Sequence, residues 1–425
     1  MSTTIVPAGE VSVSVRAGPV EALGRWIVRR ALSALRHGRV ELLDGDDRLV
    51  SPDGGGPRAE LRVLHPGFYS AVAFRGTLGA GESYMDGHWV CDDIPALVEV
   101  MATNYEAMER MESPLARVPQ GLARIAAWLK RNTPGGSRRN IAAHYDLSND
   151  FFELFLDPTM TYSCAVFDPP GISLEEAQRE KLDRACRKLA LRPTDHLLEI
   201  GTGWGSLAVH AARRYGCRVT TTTISERQFG LASRRVREAG LADRVTVIRS
   251  DYRDLRPPAR SRGFDKLISI EMIEAVGHGF MSRYMGACAD LLAPHGMALI
   301  QAITIRDRYY EDARRYVDFL KKHIFPGSCL PSLGRIIAAM AEVTDLRLVG
   351  VEDIGPHYIR TLRLWREAFF ARLDRVRAMG YDDRFIRMWE FYLTYCEGVF
   401  RSRHTTDLQL LFAKPFCREE PLRSS

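Results

Sequence analysis

His196-Leu-Leu-Glu-Ile-Gly-Thr-Gly-Trp-Gly-Ser206 is the stretch from which the fold is read. Leu197, Leu198 and Ile200 surround a single acid, Glu199, and read as a buried strand. Gly201, Gly203 and Gly205 then alternate before a helix-like run, Leu207–Ala212. Without Cβ atoms, the glycines let the backbone turn sharply and let a ligand lie against it. The helix beyond offers unpaired N–H groups to the anionic end of such a ligand. Strand, loop and helix together make a nucleotide-type site. Glycine spacing alone does not name the ligand and also suits a plain structural turn.

Strands and helices alternate outward from this point. Arg218–Ile224 reads as a second strand, followed by a helix over 226–239. Val245–Arg249, Asp265–Ile270 and Gly296–Ala302 read as three more strands, with a helix over about 280–292. Leu346–Gly350 and Leu408–Phe412 bring the strands to seven. The alternation predicts an α/β fold, a doubly wound and mainly parallel sheet with ligands at the strand carboxyl ends.

The first twenty residues lack helical period and read as a flexible N-terminus. Residues 21–110 read as a small α+β domain: a helix over 20–36, a hairpin over 39–50 with an Asp-Gly turn, a strand at 60–64 and a helix from Pro66 through Ala73. Gly81–Trp89 gathers acids, aromatics and a histidine, as a site or a domain corner would. Residues 111–139 form a linker in which Arg117, Arg124, Lys130, Arg131, Arg138 and Arg139 face only Glu112. Leu122, Ile125, Trp128 and Leu129 interleave with them at helical spacing, which suits an anionic membrane surface or a solvated inter-domain helix. Pro134–Ser137 marks a break, and 140–425 reads as the sheet domain with an insertion near 305–335.

The 425 residues are 46% hydrophobic and 26% charged with a net charge of +6, an ordinary globular balance. No apolar run approaches a membrane span, and the first ten residues carry no signal-peptide pattern. The eight cysteines are scattered without a CxxC pair, so no metal site or disulfide framework is expected and a reducing cytoplasm is. Nothing points to a nucleic-acid partner.

A dinucleotide enzyme needs an acid closing the second strand for the ribose hydroxyls. Here that strand ends in Thr223-Ile-Ser-Glu-Arg-Gln228, while the acid lies inside the first strand. Both details favour S-adenosylmethionine over NAD, and with it a class I methyltransferase-type sheet. Glu199, Gly201 and Gly203 would sit at the cofactor's amino-acid end, Gln228 at the ribose, and Asp251 and Tyr252 beside the adenine.

Several longer motifs add to this: Gly81–Gly87, His144–Phe167, Glu199–Gly205, Glu271–Gly277, His323–Pro331 and Tyr392–Arg403. Together they resemble the cyclopropane-fatty-acyl-phospholipid synthase family over about residues 60–415. The resemblance implies methyl transfer from S-adenosylmethionine to a cis double bond of a phospholipid acyl chain. The resulting carbocation is then deprotonated by a bound bicarbonate so that a cyclopropane closes. In the family a Cys-bearing segment, a Glu, a His and a Tyr hold that ion. Carried over, these are Tyr162-Ser163-Cys164, Glu274 and Tyr392, with Gln301 standing where the family has His. Tyr162, Ser163 and Thr223 join the cofactor contacts.

Gln301 and Ala275 depart from the family pattern. Glutamine donates hydrogen bonds to an anion but does not titrate. Proton removal by another route would give a methylene- or methyl-branched chain, and this form of the motifs is similar to a plant-and-actinobacterial branch of the family. Tyr162, Phe167, Tyr309, Tyr310, Phe319 and Tyr358 are candidate π-faces for the cation, and 305–335 a lid over the acyl chain. Cys164 reads as a backbone contact rather than a nucleophile. The implied setting is cytoplasmic and peripheral to a phospholipid membrane, and a homodimer is compatible with it. A small-molecule methyltransferase and an idle S-adenosylmethionine- or lipid-binding protein are the competing readings.

Overall fold

The structure is a computed structural model that describes residues 18–106, 147–258 and 261–419. The basic stretch and the Pro134–Ser137 break lie outside the described residues. The chain divides into two compact units, each interrupted in sequence. One takes in Met1–Leu129, Arg315–Ile324 and Leu362–His404; the other takes in Lys130–Arg314, Phe325–Thr361 and Thr405–Ser425. The sequence reading placed all of 140–425 in one domain. Residues 315–324, inside the expected lid, and 362–404 cluster instead with the N-terminal elements.

In the first unit β1 (Arg39–Asp44), β2 (Asp47–Val50), β3 (Arg58–Val63) and β4 (Trp89–Cys91) form a sheet in the order β2-β1-β3-β4. The β1–β2 turn is the expected one, with Gly45 at φ +59. The helix expected to end at Ala73 spans Gly67–Met85, interrupted only at Gly76, whose φ is 54. Its last turn, including Tyr84, is the segment read as a domain corner. Tyr84 Oη donates to Glu390 Oε2 (2.7 Å) on the helix Asp383–Arg401. That helix buries Ile386, Trp389, Leu393 and Phe400 at helical spacing. Gly398 lets it approach the helix Ile94–Thr103 closely, since a Cβ there would lie 2.6 Å from Pro95 O.

The second unit holds β5 (His196–Ile200), β6 (Arg218–Thr223), β7 (Val245–Arg249), β8 (Phe264–Ile270), β9 (Leu292–Ile305), β10 (Arg347–Asp353) and β11 (Thr405–Ala413). Their order is β10-β11-β9-β8-β5-β6-β7, parallel except for β11, which runs antiparallel to both neighbours. Leu197 and Leu198 are adjacent, point to opposite faces and are both fully buried. One packs under the helices Leu174–Lys188 and Ser206–Tyr215, the other under Met281–Leu291 and Leu333–Val343. Cover on both faces is why β5 reads as continuous apolar sequence around its one acid. The strand order reverses at β5, so its carboxyl end opens into the crevice where such sheets bind ligands.

β9 is longer than the expected 296–302, because β11 pairs along it from Thr405 to Ala413. That register sets Gln301 directly opposite Gln409, with Asp407 two residues away on the same strand face. All the described residues considered, no helix is long and apolar enough to cross a membrane.

Candidate active site

The glycine loop leaves β5 with Gly201, Gly203 and Gly205 at φ +100, +52 and +90, where a side chain would be strained. A Cβ on Gly203 would meet nothing within 4 Å, so open space lies over the loop. A Cβ on Gly201 would touch Met272 Cγ at 3.4 Å, which sets the loop against the turn that carries Glu271 and Glu274. Glu199 is buried beneath the loop and Oε2 accepts from Thr221 Oγ1 at 2.5 Å. Burial pushes its carboxyl up to about 8, against the pull of the Thr221 hydroxyl and Lys181.

The neighbouring candidates fall around this loop. Thr223 Oγ1 donates to Gln228 Oε1 (2.7 Å), tying the end of β6 to the next helix. Tyr162 packs on Phe152 with ring centroids 5.3 Å apart, and Phe152 lies 5.0 Å from Trp204 within the loop itself. Tyr252 stands edge-on to Tyr284 at 5.3 Å. The Asp251 carboxylate takes both the Nε and an Nη of Arg253, at 2.7 and 2.6 Å. It is therefore engaged with the protein's own guanidinium on the side that the sequence reading gave to adenine. The open glycine backbone, the buried acid and the half-buried aromatic fit S-adenosylmethionine.

A second cluster begins at the end of β8. Glu271 Oε1 accepts from the Cys164 N–H and from Gln301 Nε2, both at 2.8 Å, and Oε2 accepts from Tyr358 Oη at 2.6 Å. Gln301 gives its second amide hydrogen to Asp407 Oδ2 (2.8 Å), while its Oε1 accepts from Gln409 (3.1 Å). Burial, then the Glu271 charge, holds the Asp407 carboxyl well above its usual range. Burial raises Glu271 too, but the Tyr358 hydroxyl, the Cys164 N–H and Lys181 oppose it. Of the two carboxyls it is Glu271 that three donors face, which favours negative charge there over Asp407.

Glu274 follows one short turn later. Its Oε1 accepts from the Ile303 N–H at 2.5 Å, and its Oε2 is buried with no hydrogen-bond partner among the described residues. Burial, reinforced by the Glu271 charge, pushes this carboxyl up to about 8. Near neutral pH it is mostly protonated, with a buried O–H to donate.

Lys181 is fully buried on the helix Leu174–Lys188 and donates to Ser163 Oγ at 2.7 Å. Gln178 of the same helix donates to Ser163 O at 2.9 Å. The two side chains hold Tyr162-Ser163-Cys164 in place from behind. The Cys164 thiol lies against Ala165 O and Ile354 O, and burial pushes it well above its ordinary range. A thiol so enclosed is poorly disposed to act as a nucleophile, while the backbone N–H of Cys164 donates to Glu271.

Residues 133–410 match the family described as mycolic acid cyclopropane synthetase. The chain belongs to that family. It is 40% identical over 380 residues to the tuberculostearic acid methyltransferase UfaA1 of Mycobacterium tuberculosis, covering 84% of each chain. It is 35% identical to the cyclopropane-fatty-acyl-phospholipid synthase of Escherichia coli, covering 86% of this chain and 90% of the relative. The solved structure of the mycolic acid cyclopropane synthase CmaA1 complexed with SAH and CTAB superimposes with a TM-score of 0.60. That likeness is at 31% identity over 65% of this chain and 98% of the other. The protein is thus an S-adenosylmethionine-dependent methyltransferase of the cyclopropane synthase family, a family that acts on lipids.

Within the family's expected anion set, the Cys164 N–H and the Gln301 side chain already have partners in the protein. Gln301 does hold carboxylates, as an amide donor can, but they are those of Glu271 and Asp407, and both amide hydrogens are committed to them. Tyr392 lies on the helix Asp383–Arg401, where its ring stands 5.2 Å from Trp389. A tyrosine hydroxyl that reaches the cluster is that of Tyr358, which the sequence suggests only as a π-face. Of the other proposed π-faces, Phe167 carries the Arg360 guanidinium 4.2 Å from its centroid. Tyr310 bonds His278 through its hydroxyl, and Phe319 falls in the first unit.

Sequence reasoning missed Glu271, Asp407 and Lys181. The first lay inside a recognised motif whose second acid drew the attention. Asp407 and Gln409 alternate along a strand otherwise apolar to Ala413, a pattern that marks a polar seam facing one way.

Proposed function

We propose that the protein transfers a methyl group from S-adenosylmethionine to the cis double bond of an unsaturated phospholipid acyl chain. The observation that carries this is the junction of the two clusters: the open glycine loop touches, through Met272, the turn bearing Glu271 and Glu274. A methyl donor held over Gly201 and Gly203 thus has the carboxyl groups of Glu271 and Glu274 beside it. Bound S-adenosylmethionine supplies an activated sulfonium methyl. The chain's residues then exclude water, stabilise positive charge on the lipid and remove one proton.

A carboxylate charge on Glu271, which three donors face, would stabilise the developing cation far more than the same charge in water. Glu274 is set to donate rather than accept near neutral pH. Bicarbonate, the base that the resemblance implies, would need the Cys164 N–H and the residue 301 side chain. Both are taken by Glu271, so this set does not fit it. The product is then a cyclopropane or a methylene-branched chain, according to which bond the released electron pair forms; a saturated methyl branch requires a later reduction by a separate reductant. The UfaA1 relative is named a methyltransferase, which supports a branched product beside the cyclopropane.

A lipid surface as partner has its own support in the first unit. The helix Pro19–Ser33 buries Gly24, Val28 and Leu32 but exposes Val20, Leu23 and Trp26, which are 55%, 48% and 58% accessible. Arg30 lies over Trp26 at 5.5 Å, an amphipathic pairing suited to a headgroup layer. Methyl-labelled S-adenosylmethionine with unsaturated phospholipid vesicles, followed by mass spectrometry of the released fatty acids, tests the reading. Label in a chain 14 mass units heavier is the expected result. Absence of label from lipid refutes it.

A further inference from the structure

Glu271 occupies a costly conformation. Its φ is +47, a region that side-chain-bearing residues seldom enter and that strains the backbone. A glycine would sit there without strain. Structures keep such a residue when its side chain is needed, and here the side chain is fully engaged. Its carboxylate receives the Cys164 N–H, the Gln301 amide and the Tyr358 hydroxyl. Three donors converging from β9, from the 162–164 segment and from the helix Gly355–Phe370 make a cradle for a planar anion. Two of those donors come from positions that the family resemblance assigns to holding a free bicarbonate.

We propose that Glu271 is this anion in covalent form: its carboxylate takes the place of bicarbonate as the base that removes the proton, and the enzyme works without added bicarbonate. The inference rests on the proposed lipid reaction and goes one step further. In that reaction the methyl–sulfur bond breaks, a bond forms from the methyl to one alkene carbon, and S-adenosylhomocysteine leaves. The other alkene carbon is left cationic. Glu271 then takes one proton from the new methyl carbon. The freed C–H pair closes the three-membered ring or, where a 1,2-hydride shift has first moved the cation to the methyl-bearing carbon, forms the C=CH2 double bond of a methylene branch. Charge balances, since a carboxylate and a cation become a carboxylic acid and a neutral lipid. Glu271 remains partly accessible and returns the proton to solvent between turnovers.

Gln301 fits the same account. A histidine at 301 would offer this face one ring N–H, whereas the amide offers two hydrogens, one to Glu271 and one to Asp407. Gln301 is thus matched to Glu271: the side chain at the family's His position here serves a carboxylate that the protein itself supplies.

The test uses the full chain with unsaturated phospholipid vesicles, in buffer stripped of carbon dioxide and in the same buffer with millimolar bicarbonate. The wild type is expected to label lipid at equal rates in both. Glu271→Gly, which suits φ +47, is expected to lose about 100-fold or more in kcat in stripped buffer, the usual contribution of a general base. It is also expected to regain part of that rate with bicarbonate, with S-adenosylmethionine affinity by calorimetry close to wild type throughout. A wild-type rate that collapses on stripping and returns with bicarbonate overturns the proposal. So does a Glu271→Gly enzyme that works at the wild-type rate in stripped buffer. Failure of the wild type to label lipid in either buffer counts against the proposed function instead.

Discussion

Replacing Glu274 by Gln should make the protein more stable as the pH rises. Its carboxyl is held up to about 8 in the folded protein, against an ordinary 4.5, by burial and then by the Glu271 charge. For a carboxyl raised in this way the folded state binds the proton more tightly than the unfolded chain. Stability is then full below the ordinary value and is lost as pH climbs to the folded value. Each pH unit within that window removes about 1.4 kcal/mol. Between about pH 5 and pH 8 the loss reaches roughly 3.5 kcal/mol. In a domain of this size that is on the order of 10 °C in Tm. Glutamine keeps the shape and cannot ionise, so the variant escapes the loss. Thermal unfolding of both proteins by circular dichroism, without cofactor, reads it directly. The Tm difference should grow steadily in favour of the variant from pH 5 to pH 8 and level off above about pH 9. A difference that stays constant over that range would mean Glu274 is ionised when folded, and the assignment of its Oε2 as a buried O–H would fall.

Gly203→Val should weaken S-adenosylhomocysteine binding by at least about tenfold in calorimetry, because a β-branched side chain at φ +52 strains the loop and fills the open space above it. A Kd equal to wild type would remove the cofactor from that loop. Trp26→Glu should lower the fraction of protein that sediments with anionic vesicles several-fold and leave the Tm within a degree or two, since the ring is 58% accessible. Unchanged sedimentation would take the helix Pro19–Ser33 out of membrane contact.

Much of the second unit was legible because its determinants are local. Leu197, Leu198 and Ile200 around Glu199 are apolar on both sides of a strand, and only a doubly covered parallel sheet makes such a run. The three glycines name their turn by their positive φ values. The glycine loop followed, since Glu199 and the loop are neighbours in sequence. The cluster around Glu271 did not, because it is assembled by register. Asp407 and Gln301 meet only when β11 pairs antiparallel with β9, a contact 106 residues long in sequence. Tyr358 and Tyr392 both lie in aromatic-rich helical segments, and nothing local distinguishes the one whose hydroxyl reaches Glu271. Lys181 was hidden by its helix, whose sequence Leu174–Lys188 reads as charged and solvated, although Lys181 itself is entirely enclosed.

The first unit is closed by a bond between Tyr84 and Glu390, which stand 306 residues apart. Its last long helix is therefore made after nearly all of the second unit has been synthesised. No single cut in the chain releases either unit whole: a truncation after residue 129 removes the partner of Gly81 and Tyr84, and an N-terminal deletion orphans the Asp383–Arg401 helix. Anyone seeking a minimal catalytic fragment must excise two inner segments, 315–324 and 362–404, and rejoin the chain across both gaps. During synthesis the N-terminal elements must wait, with their apolar faces uncovered, for the end of the chain to arrive. Such a protein should refold slowly from dilution, and should lean on chaperones more than its size alone suggests.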